Sequence, residues 1–386
     1  MTNKPQFVGE RVRLGELISK AKVERCGNRS FPVYSMTMHD GIVEQSGRFK
    51  KTIASRDTSA YKVVKKNQLV VGFPIDEGVI YVQNHDQPGI MSPAYNVWDF
   101  DSSRIIPAYL ELVLHSPQSM AYYAEKLRGT TARRRTLTPE GLRALSISLP
   151  SIECQGAVVE ILSGIKNQIA AARKATDELD SLVKSRFVEM FGDEVDAEIM
   201  ALKDVCSIIT DGTHQPPKFS IEGIPFLFVS NIVQNSIVYE TNKYISEEDY
   251  ECLIKRTPIE IGDILVSAVG SFGHPAVVKE EKPFCFQRHI AYLKPMHELI
   301  DSNYLHAALL SDDAQRYMNL CAKGVAQRTV TLKSFKEMRI PVPPLTLQQE
   351  FANFASQVDK SRFVAQKQVE KLQMLYDSLA QEYFGD

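Results

Sequence analysis

The side chains able to do chemistry in this sequence are basic, amide and imidazole groups gathered in a few short stretches, and none has catalytic spacing. No phosphate-cradling glycine loop, dinucleotide fingerprint, GxSxG elbow, HExxH or kinase set is present. QPPK (215–218) and VPPL (342–345) lack the polar first residue with which an aminomethyltransferase tetrapeptide holds its target amine. Asp263 with Glu280 and Lys282 offers an acid followed by ExK, as a metal-dependent nuclease would, but a chain with 24% charged residues produces such spacing by accident. The remaining polar stretches suit binding better than turnover.

RFKKTIASRDTSAYKVVKK, from Arg48 to Lys66, places Arg48, Lys50, Lys51, Arg56 and Lys62 in a run with a single acid and with Phe49 and Tyr61 interleaved. Such a stripe neutralises phosphates and can reach base edges, or forms a solvated basic face. Arg133, Arg134 and Arg135 make a second cluster, and Arg328 takes the corresponding place in the second half. Their guanidinium groups suit phosphate or guanine, and equally suit capping of local carbonyls and acids. Thr213, His214 and Lys218 in DGTHQPPKF, Ser271 and His274 in GSFGH, and Gln287 and Arg288 in FQRHI combine hydroxyl, imidazole, amide and cation with glycine. That mixture fits close approach to duplex DNA and readout of adenine and guanine; a lone histidine is more often a satisfied core or surface group than a ligand.

The elements that must position these groups follow from an internal repeat. Sliding the chain by 193 residues, half of 386, lays EYFGD (382–386) on EMFGD (189–193) without a gap back to Lys323 on Thr130. About a quarter of the aligned residues are identical, which marks a duplication. Matched pairs include Thr138 with Thr331, Pro150 with Pro343 and Gln155 with Gln348. In each copy a proline-containing extended piece, ISLPSIECQ or IPVPPLTLQQ, precedes a long helix. Steps of four and three run from Val158 through Leu162, Ile165, Ile169, Ala172, Thr176, Leu179, Val183 and Arg186 to Met190. The second copy runs from Phe351 through Ala355, Val358, Arg362, Ala365, Val369, Leu372, Tyr376 and Leu379 to Tyr383. A period of 3.5 is the grammar of paired helices, and two copies of equal length predict that they pair with each other. A helix of about 33 residues spans roughly 50 Å.

Upstream of each helix, strand-like runs (NQLVVGF, GVIYV; GDILVSAVG, PAVVK) and helical runs (IPAYLELVLHS; SNYLHAALLS) predict two mixed α/β regions. The division is 1–148, a central helix 149–193, a second region 194–341 and a final helix 342–386. The glycine of each FGD is expected to end its helix in a left-handed cap. The second FGD implies that the carboxyl end lies where the first region begins, as in a closed ring. The composition, 44% apolar with net charge −2, is ordinary for a globular protein and makes no general case for nucleic acid. Six scattered cysteines indicate reduced, buried thiols and no metal frame. No run of eighteen apolar residues and no signal-peptide core occur, so a cytoplasmic protein is expected.

TLTPEGL and TVTLKSF, the proline lead-ins ending at Gln155 and Gln348, the two helices ending in FGD, and DGTHQPP followed by GIPFLFVSNI resemble the specificity (S) subunit of type I restriction-modification systems. The resemblance covers essentially the whole chain, the first region only in outline. It implies an α+β fold in which two target recognition domains are joined by the repeated helices as an antiparallel coiled coil with pseudo-twofold internal symmetry. It further implies a non-catalytic chain that reads a bipartite, asymmetric duplex DNA target. Two modification (methyltransferase) subunits would supply S-adenosylmethionine chemistry, and restriction subunits ATP- and Mg-dependent translocation and cleavage. The chain itself would bind no cofactor, no metal and no membrane. A modification-only or related defence complex, a coiled-coil scaffold that does not touch DNA, and a stand-alone nuclease or methyltransferase are the alternatives.

Overall fold

The computed structural model describes residues 9–38, 40–45, 57–127, 137–192, 197–233, 235–325 and 327–385. The chain divides into two compact units, Met1–Ala172 with Lys367–Asp386, and Arg173–Gln366. Two helices of 40 residues each, Ile152–Phe191 and Leu345–Phe384, contribute to both. Each is roughly 60 Å long at 1.5 Å per residue, longer than the 33 residues counted along the apolar seam. The seam count missed the opening turns, because their buried residues include the polar Gln155 and Gln348. Every predicted seam position on both helices is buried or half-buried.

In the first unit a four-stranded antiparallel sheet has the order Ile18–Lys20, Asn96–Phe100, Gln68–Val71, Ile80–Val82. Its central strand Gln68–Val71 is buried along its whole length, because helices Pro107–Leu114 and Pro117–Lys126 and the long helices share its core. That core runs from Leu69, Trp98, Tyr109 and Tyr123 into Val158, Leu162 and Ile165 of the first long helix and Leu379 and Tyr383 of the second. The Lys166 ammonium sits 5.3 Å from the centroid of the Tyr376 ring. Arg11 Nη1 donates to the Phe384 carbonyl at 3.3 Å, and the Phe384 ring meets Tyr109 edge to face. The end of the second long helix therefore lies beside the start of the first region, as the ring-like repeat implies.

The second unit repeats the plan. Its sheet has the order Cys206–Asp211, Ile290–Pro295, Ile264–Ser267, Pro275–Val277, again antiparallel throughout. It packs against helices Ser302–Leu310 and Asp312–Cys321. The long helices run antiparallel here: Arg186 pairs with Glu350 at 3.1 Å, and Arg362, further along its own helix, pairs with Asp180 at 2.8 Å. Both arginines occupy seam positions, and these pairs explain how a cation is tolerated there. A further three-stranded sheet, Tyr244–Ile245, Ile224–Leu227, Cys285–Phe286, contains a parallel pair.

Equivalent bonds join the equivalent parts. Strand Glu10–Arg13 pairs antiparallel with Ser146–Leu149, and Glu198–Ala201 pairs with Arg339–Val342, so each region is closed by its own first and last strands. Thr138 and Thr331 both cap short helices, accepting from Gly141 N and Ser334 N. Tyr109 donates to the Ser148 carbonyl and Tyr304 to the Pro341 carbonyl. Gln155 and Gln348 each bridge three backbone groups. The expected left-handed glycine cap is not found. Gly192 and Gly385 are absent from the positive-φ glycines, and their amides donate to Val188 O and Gln381 O, each at 2.8 Å. Glycine is needed there for space, since an added Cβ would meet those same oxygens at 2.7 and 2.1 Å. Cys26, Cys206 and Cys285 are buried thiols as expected, whereas Cys252 is exposed. No helix of the described residues is long and apolar enough to cross a membrane.

His306, on helix Ser302–Leu310, faces the carbonyls of Asn235 (3.3 Å) and Pro275 (3.2 Å) through Nε2. Burial, aided by the Lys279 charge, pushes its pKa down from 6.5 to about 4. The unfolded chain then binds the extra proton first as pH falls, so stability from the neutral ring is present above 6.5 and drains away between 6.5 and 4. Denaturant midpoints for the second unit should fall over that interval by an amount equivalent to about 3 kcal/mol at most. His306→Gln should flatten the curve; an unchanged slope would refute the assignment.

Candidate nucleic-acid interface

In the second unit four loops meet at one end of the four-stranded sheet and are laced by backbone hydrogen bonds. The strand Cys206–Asp211 runs into Gly212 and Thr213, where Thr213 N donates to Phe286 O and Arg288 N donates to Thr213 O, each at 3.1 Å. Ala268 N donates to His289 O at 2.8 Å, and Gly270 N to Arg328 O at 2.9 Å. DGTHQPPKF, FQRHI, GSFGH and the segment carrying Arg328, four stretches far apart in sequence, thus form one surface. Gly212 allows the first crossing: a Cβ there would lie 2.1 Å from Phe286 O.

The side chains divide into those already engaged and those that are not. Thr213 Oγ1 donates to Gln215 O at 2.8 Å. His214 Nε2 lies 3.0 Å from Asp211 Oδ2, and Asp211 also pairs with Arg256. Ser271 Oγ is 3.2 Å from His274 Nε2, whose Nδ1 is 3.3 Å from Asn235 Oδ1. Arg328 is held over the Phe272 ring, 5.1 Å from its centroid, and donates to Asn319, so it clamps the GSFGH loop to helix Asp312–Cys321. Lys218 and Arg288 are exposed and have no side-chain partner among the described residues, while Gln287 is half-buried. His289, in the same FQRHI stretch, has its pKa lowered by burial and by the neighbouring Arg288. The arrangement offers cations for phosphate and a forked amide and guanidinium for base edges.

The acid-plus-ExK residues are employed elsewhere. The buried Asp263 carboxylate accepts from Tyr292 OH at 2.7 Å, from Glu260 N at 2.8 Å and from Lys294 Nζ at 3.3 Å. Glu280 pairs with Lys282 at 2.5 Å. Among the described residues no group of three or more His, Cys, Asp or Glu is placed to hold a metal ion. In the first unit Lys62 is half-buried and donates to the Tyr95 carbonyl. Arg48, Lys50, Lys51 and Arg56, and Arg133, Arg134 and Arg135, lie outside the described residues.

Residues 194–373, just under half of the chain, match the family model of the type I restriction modification DNA specificity domain. The chain is similar in sequence to type I restriction-modification specificity subunits. It is 28% identical over 170 residues to the EcoBI specificity subunit of Escherichia coli, covering 44% of this chain and 36% of that one. It is 23% identical over 302 residues to the putative MjaX specificity subunit of Methanocaldococcus jannaschii, covering 71% of this chain and 66% of that one. The chain thus spans between about a third and two thirds of these relatives. Its fold is shared with the crystal structure of a type I restriction-modification S subunit from M. genitalium (TM-score 0.60, 16% identity, 100% of this chain and 98% of that chain). A chain from a structure of type I complex assembly is also similar (TM-score 0.56, 18% identity, 98% and 99%).

Proposed function

We propose that this chain is the DNA-reading subunit of a type I restriction-modification enzyme, each α/β region taking one half of a split, asymmetric duplex target. The observation that carries this is the loop surface of the second unit, where backbone hydrogen bonds at Thr213 bring Gln287 and the exposed Arg288 against the DGTHQPPKF loop, which carries the exposed Lys218. Phosphate contacts by such cations set register, and forked donors on the same surface read bases. Asymmetry follows from the unlike sequences of the two regions. The chain contributes recognition and no catalysis. Two modification subunits supply S-adenosylmethionine and methyl transfer, restriction subunits supply ATP- and Mg-dependent translocation and cleavage, and the assembly acts in the cytoplasm.

Methylome mapping of a host expressing this chain with its modification subunit tests the proposal. Two short, unlike half-sites separated by unread base pairs are expected, and a continuous or palindromic methylated site would sink it. Inserting seven residues into either long helix should change the unread interval or abolish modification while both half-site sequences persist.

A further inference from the structure

The first unit carries a cation cluster that the family match, confined to residues 194–373, does not reach. Lys20 ends the edge strand of the four-stranded sheet, opposite Trp98. Arg25 and Lys62 face one another across an antiparallel bridge, flanked by the bonds Val63 N to Glu24 O and Cys26 N to Tyr61 O. Partners in such a bridge project from the same face, so the two cations are neighbours. Lys62 reaches back to the carbonyl of Tyr95, toward the strand that Lys20 borders. Lys20 and Arg25 are exposed, and their charges, after burial itself, hold the Lys62 pKa below its usual 10.5.

Among the described residues none of the three cations has a carboxylate within ion-pair distance. The nearby Glu24 is engaged by Arg29 at 2.8 Å. Like charges held together without a counter-charge oppose folding, and the packing of Lys62 gives no compensating bond beyond one carbonyl. We infer that Lys20, Arg25 and Lys62 form a phosphate-binding face of the first region, made to take the phosphodiester backbone of duplex DNA. This rests on the DNA-reading function proposed above and extends it to the region whose basic run, Arg48 to Arg56, lies outside the described residues. A polyanion supplies the missing counter-charge, and the exposed Lys20 and Arg25 are open to it. The cluster lacks the forked amide found at Gln287, so it serves affinity and register rather than base choice.

The test uses the full chain assembled with its modification subunit, in variants Lys20→Gln, Arg25→Gln and the pair. Binding to a duplex carrying the methylated target is measured across a salt series, alongside thermal unfolding of the chain. Each lost phosphate contact should lower the slope of log Kobs against log salt by about one and weaken binding several-fold at fixed salt. The methylated sequence should stay the same, and the melting temperature should hold or rise as repulsion is relieved. An unchanged salt slope overturns the inference, as does a changed half-site, which would make these residues base readers, or a fall in melting temperature with full binding retained. A wild-type complex with no sequence-selective binding would fail the proposed function itself; selective wild-type binding with unaffected variants fails only this cluster.

Discussion

Replacing Gln348 by Leu should destabilise the second unit by about 3 kcal/mol, because three buried backbone groups lose their partner at once. Gln348 is fully buried; its Oε1 accepts from Asp301 N at 2.9 Å, and its Nε2 donates to Leu299 O at 3.1 Å and Pro343 O at 2.8 Å. It ties the first turn of the long helix to the proline turn before it and to the start of helix Ser302–Leu310. Leucine fills a similar volume but satisfies none of these groups. Gln155 makes the same three bonds in the first unit, to Ile106 N, Arg104 O and Pro150 O, so Gln155→Leu should have a matching effect there. Denaturant midpoints read the loss, and Gln→Glu, which sets a buried carboxylate against two carbonyl oxygens, should lose at least as much near neutral pH. A loss under about 1 kcal/mol for both leucine variants would mean that water or backbone movement takes over the bonds.

Gly212→Ala should abolish selective binding at the second half-site, weakening it at least about a hundredfold, or about 3 kcal/mol. The new methyl group would lie 2.1 Å from Phe286 O and 2.5 Å from Gln287 O. Both are main-chain atoms that cannot swing aside as a side chain would. Relief requires parting Thr213 from Phe286 and Arg288, and with them the support of Gln287. Gly164→Ala is the control: it lies within helix Ile152–Phe191 with nothing within 4 Å of its Cβ position, and should leave binding intact while adding up to about 1 kcal/mol of stability. Competition binding with duplexes altered in one half-site separates the effects. Full selectivity in Gly212→Ala would show that the loop crossing does not position the readout.

What the sequence disclosed depended on periodicity. The seam from Val158 to Met190 and its copy could be written down position by position, since a 3.5-residue period survives without knowledge of the partner. The strand runs NQLVVGF and GDILVSAVG were likewise legible as unbroken apolar stretches. Gln155 and Gln348 were visible as a matched pair, but their service to three backbone groups was not, because their partners lie up to about fifty residues away. The second recognition surface was legible as ingredients, while its assembly needed the crossings at Thr213, Ala268 and Gly270. Lys20 and Arg25 carried no signal, since they stand about forty residues before Lys62 and become neighbours only through strand pairing. Arg328 was chosen for its charge and turned out to be a clamp on Phe272, a role that depends on ring placement.

The first unit includes residues up to Ala172 and then none until Lys367, although its core needs Leu379, Ala380 and Tyr383. During synthesis those last pieces emerge about 195 residues after Ala172, a delay on the order of 10–40 s at roughly 5–20 residues per second. The region made first is therefore the one completed last. Until then the stripe Val158, Leu162, Ile165 and Ile169 waits without its covering helix, while the second unit, continuous in sequence, can close on its own residues.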